Sequence, residues 1–227
     1  MLKKGTNRYI EIAVFLLIAA MAAYGFYTAG KGQEAFMHWL REDGFVENMT
    51  VLFLLASSGI AIYRSVGFYK GKQPKAVFMW GLLAFLFFFA AGEEISWGQR
   101  IFNIETPEFF MERNLQEETN LHNLVVGGVK INILIFSQML FVVMAFYLLL
   151  LRPLVLRVKF FSSFVSGFKI PLARWKYVAT IVVFSFAFST INLLKQGELI
   201  EFVFVTVFSL IFLNPIFVPR QKEVGKS

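Results

Sequence analysis

The chain has no cysteine, only two histidines, a single aspartate and little charge for its length. Without cysteine there is no disulfide framework, no thiolate nucleophile, no cysteine metal ligand and no acylation site for a lipoprotein. With His38 and His122 alone, a three-histidine zinc site cannot form within one chain. Charged residues make up 16% of the 227 positions, against about 25% in soluble domains. There is no Walker loop, no G-x-S-x-G elbow and no HExxH zinc motif.

What is present is mostly apolar: 57% of residues are hydrophobic, and phenylalanine alone counts 29. This is the composition of an integral membrane protein. Six runs have roughly the 20 residues needed to cross the hydrocarbon, at about 10–28, 48–66, 76–97, 131–151, 177–194 and 200–218. The first, preceded by Lys3, Lys4 and Arg8, is longer than a signal-peptide core and lacks a small-x-small cleavage site, so it reads as an uncleaved span. The expected fold is all-α: one polytopic membrane domain of six transmembrane helices, a short exterior amphipathic cap at 99–120 and a basic cytoplasmic loop at 152–176.

Charge sorts by side. The N-terminus, the 64–75 and 152–176 loops and the C-terminus hold sixteen of the 22 Lys and Arg, while thirteen of the 15 acids fall on the opposite side. The positive-inside rule makes both termini cytoplasmic. In a bacterial inner membrane the acidic clusters then face the periplasm. The net charge of +7 is an orientation signal and not a nucleic-acid signal. In 152–176, Phe160, Phe161, Phe164 and Phe168 alternate with basic residues. That suits either an ordinary inside loop or a segment lying on an anionic leaflet.

Four polar patches fall on the acidic side: His38 to Asn48, Glu93 to Arg100, Asn114 to Asn123 and Lys195 to Glu201. Ionised groups at the end of an apolar run cost free energy and are there for a partner, an ion or a reaction. If 114–123 is helical, Asn114, Glu118 and His122 share a face. Alternatively Thr119 caps the fourth span and the residues before it form a loop. Each histidine has a carboxylate four residues away, His38 with Glu42 and His122 with Glu118. With Glu94 these form a candidate set for a divalent cation. Glu93 and Glu94 point about 100° apart on a helix. One reading pairs Glu93 with Arg100, two turns on. The sharper one makes Glu93, Glu94 and His122 the catalytic groups, as general base or metal ligands. Trp97, Gln99, Arg100, Asn114, Gln116, Asn120 and Asn123 are candidate head-group contacts, with Trp97 and Trp39 also reading as interfacial anchors. Ser96 near His122 leaves a Ser–His–Glu set open. Lys130 reads as a snorkelling or carboxylate-paired residue, and Asn192 and Asn214 as helix–helix glue.

Gly92-Glu93-Glu94-Ile95-Ser96-Trp97-Gly98-Gln99-Arg100 and Asn120-Leu121-His122-Asn123 resemble the paired signature of a family of bacterial multi-pass membrane proteins, over roughly residues 38–125. That resemblance implies the polytopic fold and brings no activity. Trp39 to Asn48 also looks loosely like the opening motif of alkaline-ceramidase-like membrane hydrolases. Those need three histidines and an aspartate around zinc. With two histidines and Asp43 as the only aspartate, that activity is not carried over.

The leading expectation is a membrane-embedded enzyme acting on a lipid or lipid-linked molecule, with membrane lipids as its surroundings and a divalent metal cation as candidate cofactor. The alternative is a non-catalytic assembly, lipid-binding or ion-binding protein. A small transporter comes third.

Overall fold

The computed structural model describes residues 4–126, 128–130 and 139–218. In chain order its helices are α1 (Lys4–Gly30), α2 (Gln33–Trp39), α3 (Phe45–Lys70), α4 (Pro74–Glu94), α5 (Gln99–Phe102), α6 (Glu108–Arg113), α7 (Leu140–Arg157), α8 (Lys159–Phe168), α9 (Trp175–Ser189) and α10 (Gln196–Leu213). A two-residue antiparallel hairpin, Val125–Val126 with Val129–Lys130, follows α6. The architecture is all-α and polytopic. Among the described residues five helices, α1, α3, α4, α7 and α10, are long and apolar enough to span a membrane.

The sixth expected span is shorter. Helix α9 has 15 residues, or about 22 Å at helical rise, against a hydrocarbon thickness of about 30 Å. Its end has a local cause. The Ser189 and Thr190 hydroxyls donate back to the Phe186 and Ala187 carbonyls. Asn192 then takes a left-handed φ of 52°, so it sits in a turn and not inside a span. The expected fourth span is helical from Leu140, and its first residues, 131–138, lie outside the described residues, as does the side chain of Lys130.

Helix α10 is the axis of the core. It is apolar on all sides, the pattern of a helix surrounded by protein. Leu199, Phe202, Val203, Val207, Leu210, Ile211 and Phe212 are all buried. It packs against α3, α9 and α1. Trp80 of α4 meets Phe212 edge-on at 5.3 Å and donates its indole N–H to the Lys169 carbonyl. Hydroxyls join the helices where apolar contact alone gives no register. Ser57 and Ser209 are hydrogen-bonded at 2.7 Å, and Ser58 donates to the Ala84 carbonyl.

At the basic end, Arg64 donates to the carbonyls of Phe212 and Leu213 at 2.7 and 2.8 Å. These are terminal carbonyls of α10 that no helical N–H reaches, and a cation is favoured there. Nearby, the Tyr177 hydroxyl donates to Glu11, which also pairs with Lys176 at 2.5 Å. Asn7 donates to Asn214. The basic 152–176 segment contains α8, an amphipathic helix with Val165 buried and Phe160 exposed. The outward faces of α4 and α9 carry Phe78, Phe85, Phe88 and Val183 in the open. This is an apolar belt that a bilayer covers.

Candidate functional site: an acid-lined cavity at the end of α4

Helix α4 stops at Glu94, and the chain reverses through Ser96 and Trp97, both at positive φ, and Gly98. The reversal folds the Trp97 indole back onto Gly92, where an added Cβ would lie 2.8 Å from the ring. That places the indole N–H 2.8 Å from one oxygen of Glu93. The other Glu93 oxygen accepts the backbone N–H groups of Leu121 and His122, at 2.6 and 3.0 Å. Glu93 is only 3% exposed, and these three donors satisfy it. It is the anchor that pins the 114–124 loop to the end of α4.

The loop is not a helix. Asn114 bridges Leu124 in antiparallel fashion. Its side-chain oxygen accepts the N–H groups of Gln116 and Glu118, the local competition by which asparagine favours turns. Its amide donates to the Asn120 carbonyl and side chain. Glu117 adopts a left-handed φ of 57°. The shared helical face expected for Asn114, Glu118 and His122 therefore does not form.

The expected Glu93–Arg100 pair does not form either, because the turn at 96–98 breaks the helix between them. Arg100 instead reaches Asp43 at 3.0 Å, Glu47 at 2.9 Å and Glu118. It ties the turn before α3 to the 114–124 loop. Burial lowers the pKa of the guanidinium, but hydrogen bonds to Asp43 and Glu118 outweigh this and hold it above its ordinary value. Glu118 also accepts the Ser96 hydroxyl at 2.5 Å and the Asn120 amide at 3.0 Å. The Ser96 proton is thus committed to Glu118, which leaves no support for a Ser–His–Glu triad. Gln99 accepts the Thr119 N–H and donates to Thr106.

These ties enclose a polar cavity of about 90 Å³. Its carboxylates come from Glu42, Glu47, Glu94, Glu118 and Glu198, with Gln116, His122 and Lys195 completing the wall. Exposed Glu42 and Gln116 mark the mouth, and half-buried Glu94 lies deeper. Glu94 faces Glu198, Glu201 and Glu47, so the orientation of the Glu93–Glu94 pair is resolved: Glu93 holds the loop and Glu94 faces the cavity. His122 has its Nδ1 3.7 Å from Glu93, and its Nε2 is 3.1 Å from the Asn123 amide. Lys195 pairs with Glu42 at 3.3 Å.

Of the candidate head-group contacts, Gln116 lines the cavity. Arg100, Gln99, Asn114 and Asn120 build the wall behind it. Asn123 donates to Gln116, and Trp97 is fixed by Glu93. Among the proposed metal ligands, Glu42, Glu94, Glu118 and His122 share the cavity, whereas His38 lies in a separate groove on the far side of the 40–45 turn. Glu42 turns to Lys195 and Gln116 instead of His38. Among the described residues no group of three or more His, Cys, Asp or Glu is placed to hold a metal ion.

The sequence places Glu47, Lys195 and Glu198 in two of the four polar patches but does not mark them as site residues. Their signal was faint but present: Glu198 stands in the first turn of α10, where the helix dipole favours an acid, with Glu201 one turn on. Comparison with protein-family models, with curated proteins and with solved structures finds no match to this chain.

Proposed function

We propose that this is a membrane-embedded enzyme acting on the polar head of a lipid or lipid-linked molecule. Glu94 and His122 exchange a proton with the head group that enters the cavity. The observation that carries this reading is the meeting of Glu94 and His122 in one polar cavity whose wall is fixed by independent bonds. Glu93 orients His122 through its backbone N–H and faces its ring, the arrangement expected of a positioned acid–base group. The cavity volume of about 90 Å³ is well below the ~300–1,000 Å³ of sites that enclose a whole ligand. Only the reacting part of a head group fits, and the apolar remainder stays in the bilayer. Five carboxylates against one lysine favour a head with positive charge, or a phosphate accompanied by a divalent cation. Such a cation would be held jointly with substrate oxygens or water, since the described residues present no three-ligand set. By the charge asymmetry of the loops, the cavity faces the periplasmic side of a bacterial inner membrane, with both termini cytoplasmic.

The test uses purified protein in vesicles of phosphatidylethanolamine, phosphatidylglycerol and cardiolipin, with magnesium or with chelator, and mass spectrometry of the lipids. Wild type should convert a lipid, and Glu94→Gln and His122→Ala should each lose roughly 10²-fold or more while keeping wild-type melting temperature. Equal turnover in wild type and both variants would overturn the assignment of these residues.

A second reading is a non-catalytic polar lock between spans, favoured by the grip of Arg100 on three carboxylates. It predicts that Glu94→Gln and His122→Ala both fail to accumulate as folded protein.

A further inference from the structure

A second concavity lies beside the cavity, on the other side of the turn between α2 and α3. It is an open groove of about 370 Å³ between the end of α1, α2 and the start of α3. The turn divides charge sharply. Glu42 points to the acidic cavity, while its neighbour Arg41 lines the groove with Lys31 and His38. No acidic residue lines the groove, although this end of the molecule is otherwise rich in acids. The side chains of Arg41 and His38 have no hydrogen-bond or ion-pair partner among the described residues, and Arg41 is exposed. The Lys31 ammonium rests 4.4 Å over the Tyr27 ring, a contact that positions the cation without neutralising it.

The rest of the groove wall is aromatic. Tyr24 meets Trp39 edge-on at 5.1 Å, which packs α2 back onto α1, and Tyr24 and Tyr27 are half exposed. Tyrosine and tryptophan settle at the head-group level of a bilayer. Two to three turns below Tyr24, α1 presents exposed Leu16 and Ile12 to the hydrocarbon. The turn itself is held firmly. Gly44 permits it, since a Cβ there would lie 2.5 Å from the Arg41 carbonyl, and Asn48 donates to the carbonyls of Asp43 and Gly44.

We propose that this groove is a binding site for an anionic phospholipid of the leaflet at the acid-rich end. Its phosphate sits between Lys31 and Arg41, its head group lies against Tyr24, Tyr27 and Trp39, and its acyl chains run along α1. The case rests on charge complementarity: two cations and a histidine without a counter-charge, at the depth where phosphates lie, above an apolar helix face. It is independent of any chemistry in the neighbouring cavity.

The test is native mass spectrometry of the full chain released from nanodiscs containing equal phosphatidylglycerol and phosphatidylcholine. Wild type should retain phosphatidylglycerol selectively, and inorganic phosphate should not displace it. The double variant Lys31→Gln/Arg41→Gln should bind it about thirtyfold more weakly, the loss of two interfacial charge contacts. Both positions are exposed, and unchanged gel-filtration and melting behaviour of the variant reports an intact fold. Equal retention of both lipids by wild type would overturn the proposal, and that result needs no variant. So would undiminished phosphatidylglycerol binding by a folded variant, or displacement by inorganic phosphate, which would indicate a free-anion site.

Discussion

Arg100→Ala removes the cation that joins three segments. Its side chain is 25% exposed, while those of Glu47 and Glu118 are 13% and 12% exposed. Neither carboxylate can turn fully to water when the guanidinium is gone. A hydrogen bond to a charged group contributes roughly 1.5–3 kcal/mol, and two such bonds are lost. Asp43 is 56% exposed, and an exposed pair adds only about 0–1 kcal/mol. The partial exposure of Arg100 places the sum near the lower end, at about 3–4 kcal/mol. For a chain of this size about 2–4 °C of melting temperature accompanies each kcal/mol, so the expected fall is about 6–16 °C. Thermal unfolding in detergent, followed by tryptophan fluorescence, measures it. Arg100→Lys keeps the charge but cannot fork to several carboxylates, and should recover about half. Arg113, whose contact with Glu112 at 3.5 Å is exposed on both sides, is the control: Arg113→Ala should shift melting by less than about 2 °C. An Arg100→Ala protein melting as close to wild type as this control would refute the view that Arg100 locks the cavity wall.

Two further substitutions test the frame around the site. Gly92→Ala drives a methyl group against the Trp97 ring. It should cost about 1–3 kcal/mol and free the indole from Glu93, seen as a red-shifted Trp97 contribution when Trp97→Phe spectra are subtracted; an unshifted contribution would contradict the packing described. Arg64→Ala strips two carbonyls at the end of α10 of their donor. It should cost about 2–3 kcal/mol and speed amide exchange in the last turns of that helix, whereas unchanged exchange would show that the arginine is not a cap.

The spans were legible because long apolar runs have few physical alternatives. Where the structure departs from the sequence pattern, a local competitor intervenes. The i, i+4 spacing of Asn114, Glu118 and His122 fits a helix equally well on paper. But the Asn114 side chain captures the N–H groups of Gln116 and Glu118, and the backbone turns. The Glu93–Arg100 spacing assumed a helix continuing through Ser96 and Trp97, which both adopt positive φ. Nothing in the sequence between Ala187 and Lys195 states that serine and threonine will end α9 early. The meeting of Glu94 with Glu198 joins positions more than a hundred residues apart, and no local pattern encodes that. The acid-rich region was legible from its composition. The division of labour within it, Glu93 as anchor and Glu94 facing the cavity, was not.

The placement of α10 also bears on how the molecule is made. Every other described helix precedes it in the chain, yet α1, α3 and α9 all pack against it. Until it leaves the ribosome, α3 presents Ser57 without Ser209, and Arg64 without the carbonyls it caps. The earlier helices must wait in the bilayer with polar groups turned toward a space not yet filled. The α3–α4 pair can form beforehand, and insertion of α10 is then the step that joins α1, α3 and α9 around one core helix. It also brings Lys195 and Glu198 to the cavity, so the site is completed by the same event that completes the core.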